Sequence, residues 1–191
     1  MTVTTERAYH HGDLRRAILT AALDVIAADG PTALSLRDLA RRAGVSHAAP
    51  AHHFKDRAGL LTAIAAEGHG LLAAALGEAE SLRDLGVQYV RFAAAYPAHF
   101  QVMFRPELLR PDDQELAAAR ERTRNQLHTA VTGRGADQAT AVMAAWSMAH
   151  GFATLLLSRN LDGLLDGRDP EQAFLALTNE LFQSAANPAT G

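Results

Sequence analysis

Residues 35–57, with the sequence SLRDLARRAGVSHAAPAHHFKDR, decide the fold of the N-terminal part of this chain. Apolar residues recur there at helical spacing, which predicts a short helix over about residues 36–43 with Ser35 as its N-cap. Gly44 then takes the position after the helix, where a left-handed backbone allows a sharp turn. Two short helices joined in this way form a helix-turn-helix.

The second helix of this unit is predicted to begin after Ser46 as its cap. His47, Ala48 and Ala49 are its first residues, and Pro50 is tolerated so close to the N-terminus. Helical periodicity turns Pro50 and Phe54 towards the core, and turns Ala48 and His52 outward with His47 and Ala51 beside them. The outward face is therefore small and polar.

A small, polar helix face is suited to the major groove of DNA. An alanine methyl can meet a thymine methyl, and a histidine can bond a purine N7. Lys55 and Arg57 lie just beyond the helix, where they suit phosphates. The same pattern also fits an αα-hairpin without a DNA partner, and the pattern alone leaves both interpretations open.

Residues 9–68 resemble the DNA-binding domain of the tetracycline-repressor (TetR) family of bacterial regulators. The resemblance rests on a first helix ending at Asp29-Gly30, the ARRAGVS core at residues 40–46, the His53-Phe54 pair and a basic residue at Arg57. It implies that Ser35 touches phosphate, that Arg37 reaches a base and that Arg57 binds the DNA backbone. The full candidate set for DNA is Ser35, Arg37, Ser46, His47, Ala48, Ala49, His52, His53, Lys55 and Arg57.

One position departs from the family pattern. Members of the family usually carry a phosphate-binding tyrosine where this chain has Ala51. The resemblance therefore implies a missing contact to the DNA backbone, which Lys55 is placed to supply.

Composition and charge fit a soluble DNA-binding protein. The chain has 191 residues, 48% of them hydrophobic, and a net charge of −3, but residues 1–60 hold eight Lys/Arg against six acids. The basic excess therefore falls on the part that resembles a DNA-binding domain. Cysteine is absent, and because neither a signal peptide nor an uninterrupted apolar run of membrane length is recognised, we expect a cytoplasmic protein with no membrane partner.

The whole chain is predicted to be helical. Breaks at glycines and prolines divide it into about nine helices, and no segment has the alternation of a strand. The expected all-α fold has a helix-turn-helix domain at residues 1–60 and a larger helical domain for effector binding and dimerisation at residues 61–191. A long fourth helix from about Arg57 to Leu76, capped by Asp56, links them.

Aromatic and polar residues of the second domain predict a binding pocket for a small molecule. The segments YPAHFQVMF (residues 96–104) and AWSMAHGFATLLL (residues 145–157) resemble a TetR subgroup marked by a Trp followed by a His-Gly pair. Such residues most often form core, but a buried polar group needs a partner, which a ligand can supply. The candidate effector pocket comprises Phe92, Tyr96, His99, Phe100, Met103, Phe104, Trp146 and His150.

The last two long helices carry apolar stripes that predict dimerisation. A two-helix face on each subunit can form a four-helix bundle across a twofold axis, as in the family that the chain resembles. The partners expected are thus a second copy of the chain, a double-stranded DNA operator and a small apolar or amphipathic effector. The candidate interface residues are Val142, Ala149, Ala153, Leu156, Leu157, Phe174, Leu177 and Leu181.

Two alternatives from other classes are an enzyme and a helical adaptor without DNA. The chain has nine histidines, but His10-His11 and His52-His53 are adjacent pairs with no metal-binding spacing, and no nucleophile motif is present. We therefore expect no catalytic site, no metal and no cofactor. Loss of DNA binding on substitution of Arg37 and His47, at unchanged dimer mass, separates a regulator from an adaptor.

Overall fold

The computed structural model describes residues 4–131 and 138–186, and the side chains of residues 14–129 and 139–180. Within those ranges the chain forms ten α-helices and no strand, which confirms the all-α prediction. They are α1 (Thr4–Asp29), α2 (Leu36–Arg42), α3 (Ala49–Phe54), α4 (Arg57–Gly77), α5 (Leu82–Ala95), α6 (Pro97–Met103), α7 (Gln114–Val131), α8 (Gln138–Leu157), α9 (Asp162–Leu165) and α10 (Pro170–Ala186). The helix beyond the expected nine is α9, a single turn too short for a periodic pattern to reveal.

The chain divides into two compact units. The first comprises Met1–His69 with Pro97–Arg120, and the second comprises Gly70–Tyr96 with Glu121–Gly191. The first unit is larger than the expected domain at residues 1–60, because α6 packs against α1 and brings the start of α7 with it. Helix α4 continues without interruption across residue 60.

In the first unit, α1 supplies the surface on which the other helices pack. Its side chains Ile18, Ala22 and Ile26 are fully buried, at the spacing of one helix face. Helices α2, α3 and α6 lie against it. Helix α1 ends where Gly30, with φ of 78°, leaves the helical conformation, and this glycine precedes a 3₁₀ turn at Pro31–Ala33.

In the second unit, α5 packs against both α8 and α10. Ser81 begins α5 as predicted for a break there, and its hydroxyl accepts a hydrogen bond from the backbone of Asp84 (3.1 Å). The backbone of Gly86 lies so close to Phe174 that an added Cβ would stand 2.6 Å from the ring. This contact requires glycine in the middle of α5 and fixes α10 on it.

Two helices in the described part of the chain are long and apolar enough to cross a membrane, judged by length and composition alone. One is α4. Of its most apolar stretch, 61% is buried within the protein, as in an ordinary core helix. The other is residues 139–157 of α8, of which only 17% is buried. Neither helix is an uninterrupted apolar run, and most of this part of α8 is exposed.

Candidate nucleic-acid interface

The turn between α2 and α3 has the geometry that the sequence predicts. Gly44 adopts a left-handed backbone with φ of 66°. Its amide donates to the carbonyl of Arg41 (3.3 Å), and the amide of Val45 donates to the carbonyl of Ala40 (3.0 Å). These two bonds define a Schellman motif, which satisfies the last carbonyls of α2 and turns the chain towards α3.

Helix α3 begins later than predicted. The expected start was His47, whereas the helix starts at Ala49 and His47 and Ala48 form a turn before it. Pro50 has no amide hydrogen and cannot bond the carbonyl of Ser46, which instead accepts from the amide of Ala49 (3.0 Å). His47 and Ala48 are nevertheless exposed, so the turn presents them to solvent.

The exposed candidates of α2 and of the turn before α3 lie together. Ser35, Arg37 and His47 border one concave surface with Asp38 and Arg41. Ser46, Ala48, His52 and Lys55 are also exposed, and His53 is half-buried between the rings of its two neighbours. The structure thus brings Ser35 and Arg37 together with His47, across the turn at Gly44, on one accessible surface.

Charges on this surface are partly paired already. The carboxylate of Asp38 accepts hydrogen bonds from Arg41 and Arg42, each at 2.6 Å. The Arg42 guanidinium, and then that of Arg41, hold the pKa of Asp38 below its ordinary value. Arg37 makes no ion pair with any residue that the structure describes. Its charge is therefore the one on α2 that is fully available to a ligand.

Two DNA candidates are placed differently from the prediction. Ala49 is only 8% exposed, on the buried side of α3 with Pro50 and Phe54, because α3 packs against α1 and α2. Ala49 therefore cannot face a groove. Arg57 is half-buried and donates to the carbonyl of Pro31 (2.7 Å), so it ties α4 to the 3₁₀ turn before α2.

Helix α3 ends in a strained turn that the sequence does not reveal. Lys55 has φ of 68° and ψ of −57°, and the amide of Asp56 donates to the carbonyl of Phe54 (2.9 Å). This combination is a γ-turn with positive φ, which costs energy at any residue with a side chain. An added Cβ on Gly59 would lie 2.0 Å from the carbonyl oxygen of Phe54, so only glycine allows α4 to pass so close to the turn.

The eight candidate pocket residues divide between the two units. In the first unit His99, Phe100 and Met103 are buried, and the ring of Phe104 contacts those of Phe100 (5.1 Å) and His69 (5.9 Å). Burial lowers the pKa of His99, against the effect of Glu67 at 3.7 Å. These residues form part of a packed core.

In the second unit the remaining candidates meet a residue that sequence reasoning missed. The hydroxyl of Tyr89, fully buried on α5, lies 2.8 Å from Nδ1 of His150. The ring centroids of Trp146 and His150 lie 6.0 Å apart, and those of Phe92 and Tyr96 lie 5.5 Å apart. Trp146 is 42% exposed, so it stands at the surface of this unit.

The candidate interface residues differ in exposure. Ala149, Ala153 and Phe174 are buried within the chain itself, on the faces that α8 and α10 turn towards α5. They are therefore unavailable to a second copy. Leu177 is 39% exposed, and the others with described side chains are half-buried, namely Val142, Leu156 and Leu157. The side chain of Leu181 lies outside the described residues, as do those of His10 and His11.

Comparisons with known proteins identify the family. The model "Bacterial regulatory proteins, tetR family" matches residues 18–64, and the model "Tetracyclin repressor-like, C-terminal domain" matches residues 82–181, which is more than half of the chain. The helix-turn-helix and the helices that follow it thus belong to one class of regulator. The chain is a member of the tetracycline-repressor (TetR) family.

Solved structures agree with this assignment. A protein of unknown function from Rhodococcus sp. RHA1 is 34% identical, with a TM-score of 0.75 over 92% of this chain and 97% of that one. The TetR-family regulator PfmR from Thermus thermophilus (24% identity, TM-score 0.63, 84% and 93% covered) shares the fold. NalD, the secondary repressor of the MexAB-OprM multidrug efflux pump in Pseudomonas aeruginosa, also shares the fold (21% identity, TM-score 0.60, 90% of this chain and 95% of that one covered). None of the curated protein sequences matches this chain.

Family membership establishes the general function. The protein is a DNA-binding transcriptional regulator and is not an enzyme. Among the described residues no group of three or more His, Asp or Glu side chains could hold a metal ion. The Trp-then-His-Gly subgroup expected from residues 145–157 remains a prediction.

Proposed function

We propose that this protein is a homodimeric repressor that binds a palindromic operator in the cytoplasm and is released from it by a small apolar or amphipathic effector. The observation that carries the proposal is the accessible surface where Arg37 of α2 meets His47 before α3. A surface of this kind, formed by α2 and the turn before α3 with small residues beside it, is suited to a major groove.

Each exposed residue has a role that follows from its chemistry. Arg37 can bond both O6 and N7 of a guanine, and His47 and His52 can each bond a purine N7. Ala48 and Ala51 allow close approach and can meet thymine methyl groups. Ser35, Ser46, His53 and Lys55 suit phosphates, where they would fix the register rather than read the sequence. Arg57 contributes indirectly, through its bond to Pro31.

The dimer that we propose uses the outward faces of α8 and α10. Large apolar side chains are exposed there, namely Met143 (57%), Trp146 (42%), Leu155 (44%) and Leu177 (39%). Apolar side chains exposed along two long helices are typical of an interface core. A twofold axis through this face would present two recognition helices to half-sites about 34 Å apart.

Release by an effector needs two states that differ in DNA affinity. Changing the DNA-bound fraction from about 99% to 1% takes roughly 5.5 kcal/mol of differential effector affinity. The effector must therefore bind the DNA-incompatible state of the dimer much more tightly than the DNA-bound state.

Fluorescence anisotropy on a labelled duplex from upstream of the protein's own gene tests DNA binding. We expect saturable binding that weakens steeply between 50 and 200 mM salt, as phosphate contacts require. Arg37→Ala and His47→Ala should each weaken binding by about 1–3 kcal/mol, while Arg122→Ala, an exposed arginine of α7, should have no effect. Absence of salt-sensitive binding on every duplex tried overturns the proposal and favours a helical adaptor.

Sedimentation velocity tests the dimer separately. Leu177→Glu places a charge in the proposed interface and should shift the protein towards monomer, while Ala94→Glu on the exposed side of α5 should not. Equal mass for Leu177→Glu and the wild type places the interface elsewhere.

A further inference from the structure

A cavity in the second unit is lined by none of the residues of the predicted pocket. It lies among α5, α8 and α10 and has a volume of about 490 Å³. That volume is within the range of small-molecule sites, about 300–1,000 Å³. Its lining residues are Ser81, Leu82, Arg83, Gly86, Ala145, Met148, Phe174 and Thr178.

The body of this cavity is apolar and held in shape by tight packing. Phe174 is 2% exposed, and its ring occupies the space that a side chain on Gly86 would need. The ring packs edge-to-face against that of Phe152, with centroids 5.3 Å apart. Leu82, Ala145 and Met148 supply the remaining apolar surface. Because Phe174 is fixed on two sides, the cavity is preformed and does not require a ligand to open it.

The polar groups of the cavity favour an anion. Arg83 is the one charged residue among the eight that line it, and in the described part of the chain it makes no ion pair. The other arginine of α5, Arg91, is instead paired with both oxygens of Glu171 (2.9 and 2.6 Å). The Arg83 guanidinium is therefore available at the rim.

Two hydroxyl-bearing residues, Ser81 and Thr178, also line the cavity. The Ser81 hydroxyl accepts from the amide of Asp84, which leaves its hydrogen to donate. The Thr178 hydroxyl donates to the carbonyl of Leu175 (2.9 Å), which leaves its oxygen to accept. A carboxylate can thus receive hydrogen bonds from Arg83 and Ser81.

We propose that this cavity binds an amphipathic anion, an apolar molecule that carries one carboxylate. The apolar part lies against Phe174, Met148 and Leu82, and the carboxylate pairs with Arg83 at the rim. A cation of the same shape would meet the like charge of Arg83, and a neutral molecule would leave the guanidinium without a partner. The identification of this ligand as the effector rests on the function proposed above, whereas its binding does not.

Isothermal titration calorimetry with an eight-carbon series tests the site. Octanoate should bind saturably with one site per chain, 1-octanol should bind about tenfold more weakly, the size of one charge-assisted hydrogen bond, and octylammonium should bind least. Trp146, the single tryptophan of the chain, lies next to Ala145 and provides a second readout by fluorescence. No saturable octanoate binding, or equal binding of octanoate and octanol, overturns the proposal.

Matched variants locate the site. Ala145→Leu fills the cavity and should weaken octanoate binding at least about tenfold, whereas Ala94→Leu, the same change on the exposed side of α5, should not. Arg83 is exposed, so Arg83→Gln should leave the fold intact. This variant should lose the preference for octanoate over octanol. Arg122→Gln, the control, should retain that preference. Retained preference in Arg83→Gln contradicts the proposal. Because these titrations contain no DNA, their outcome is independent of the repressor proposal.

Discussion

The guanidinium of Arg110 lies 2.8 Å from the carboxylate of Asp56, the last residue of the γ-turn centred on Lys55. The same carboxylate accepts from the amide of Gly59 (2.8 Å), and the Gly59 amide and then Arg110 lower the pKa of Asp56. The backbone of Arg110 also donates to the buried hydroxyl of Thr62 (3.0 Å). The loop before α7 therefore holds the junction between α3 and α4.

Arg110→Gln should weaken operator binding by up to about tenfold, because the end of α3 loses a restraint. The loss of folding stability should stay below about 1 kcal/mol, since the Asp56 side chain is 61% exposed and solvent screens the ion pair. Anisotropy and urea unfolding measure the two effects. Arg105→Gln, an exposed arginine at the start of the same loop, is the control, and equal operator affinity for the two variants would show that the Arg110 restraint is unnecessary.

Ala51→Tyr should strengthen DNA binding. Ala51 is exposed on α3, where a tyrosine would restore the phosphate contact implied by the family pattern. We expect binding to tighten by about 0.5–1.5 kcal/mol, the net value of one hydrogen bond, with no change in the slope of log K against log salt because the hydroxyl is uncharged. Ala51→Phe separates the hydroxyl from the ring: if both variants bind equally well, packing and not a phosphate bond is responsible.

Gly44→Ala should destabilise the fold by about 1–2 kcal/mol, because φ of 66° is costly for a residue with a Cβ. Gly70→Ala is the matched control within α4, where an added Cβ meets nothing within 4 Å. There alanine should stabilise by roughly 0.5–1 kcal/mol, since helical glycine is unfavourable. Urea unfolding compares the pair, and effects of the same sign would contradict this interpretation of the turn.

Stability should fall as the pH drops below neutrality. Burial, and then the charge of Arg120, lower the pKa of His69 from 6.5 to about 4. His69 therefore takes up a proton at a higher pH in the unfolded chain than in the folded protein. Its contribution to the free energy of unfolding is fully present above pH 6.5 and is lost as the pH falls from 6.5 to about 4. The His69 contribution amounts to about 3 kcal/mol over that window.

His69→Gln removes this titration and should flatten the dependence of the unfolding free energy on pH between 7 and 5. His128→Gln, on an exposed position of α7, should leave the dependence as in the wild type. A wild-type slope in His69→Gln would assign the pH dependence to other groups, of which His99 and His150 also have pKa values lowered by burial.

Local signals predicted most of the helices and the turn at Gly44, because caps, glycines and helical periodicity act over a few residues. The predicted start of α3, at His47, is two residues too early. Pro50 has no amide hydrogen, so the carbonyl of Ser46 accepts its hydrogen bond from Ala49 instead. Ala49 and Phe174 were predicted on exposed helix faces, but both are buried. The packing of α3 and α10 on other helices decides which face lies inside, and local spacing does not reveal it. The contacts of Arg110 with Asp56 and of Tyr89 with His150 join residues that are far apart in the sequence. The spacing of residues along a single sequence does not predict such contacts. Gly86 in the middle of α5 was the one local signal of the cavity.

The shortness of α3 limits how much sequence this regulator can recognise directly. Six residues rise about 9 Å along the helix axis, which matches only about three base pairs at 3.4 Å each. With Ala49, Pro50 and Phe54 buried, few of its side chains face outward, so direct reading also relies on Arg37 and His47, which lie outside α3. In the dimer proposed above, discrimination among genomic sites would then depend on the spacing of the two half-sites and on how readily the DNA between them deforms. An operator search for this protein should therefore weight symmetry and spacing above a long consensus sequence.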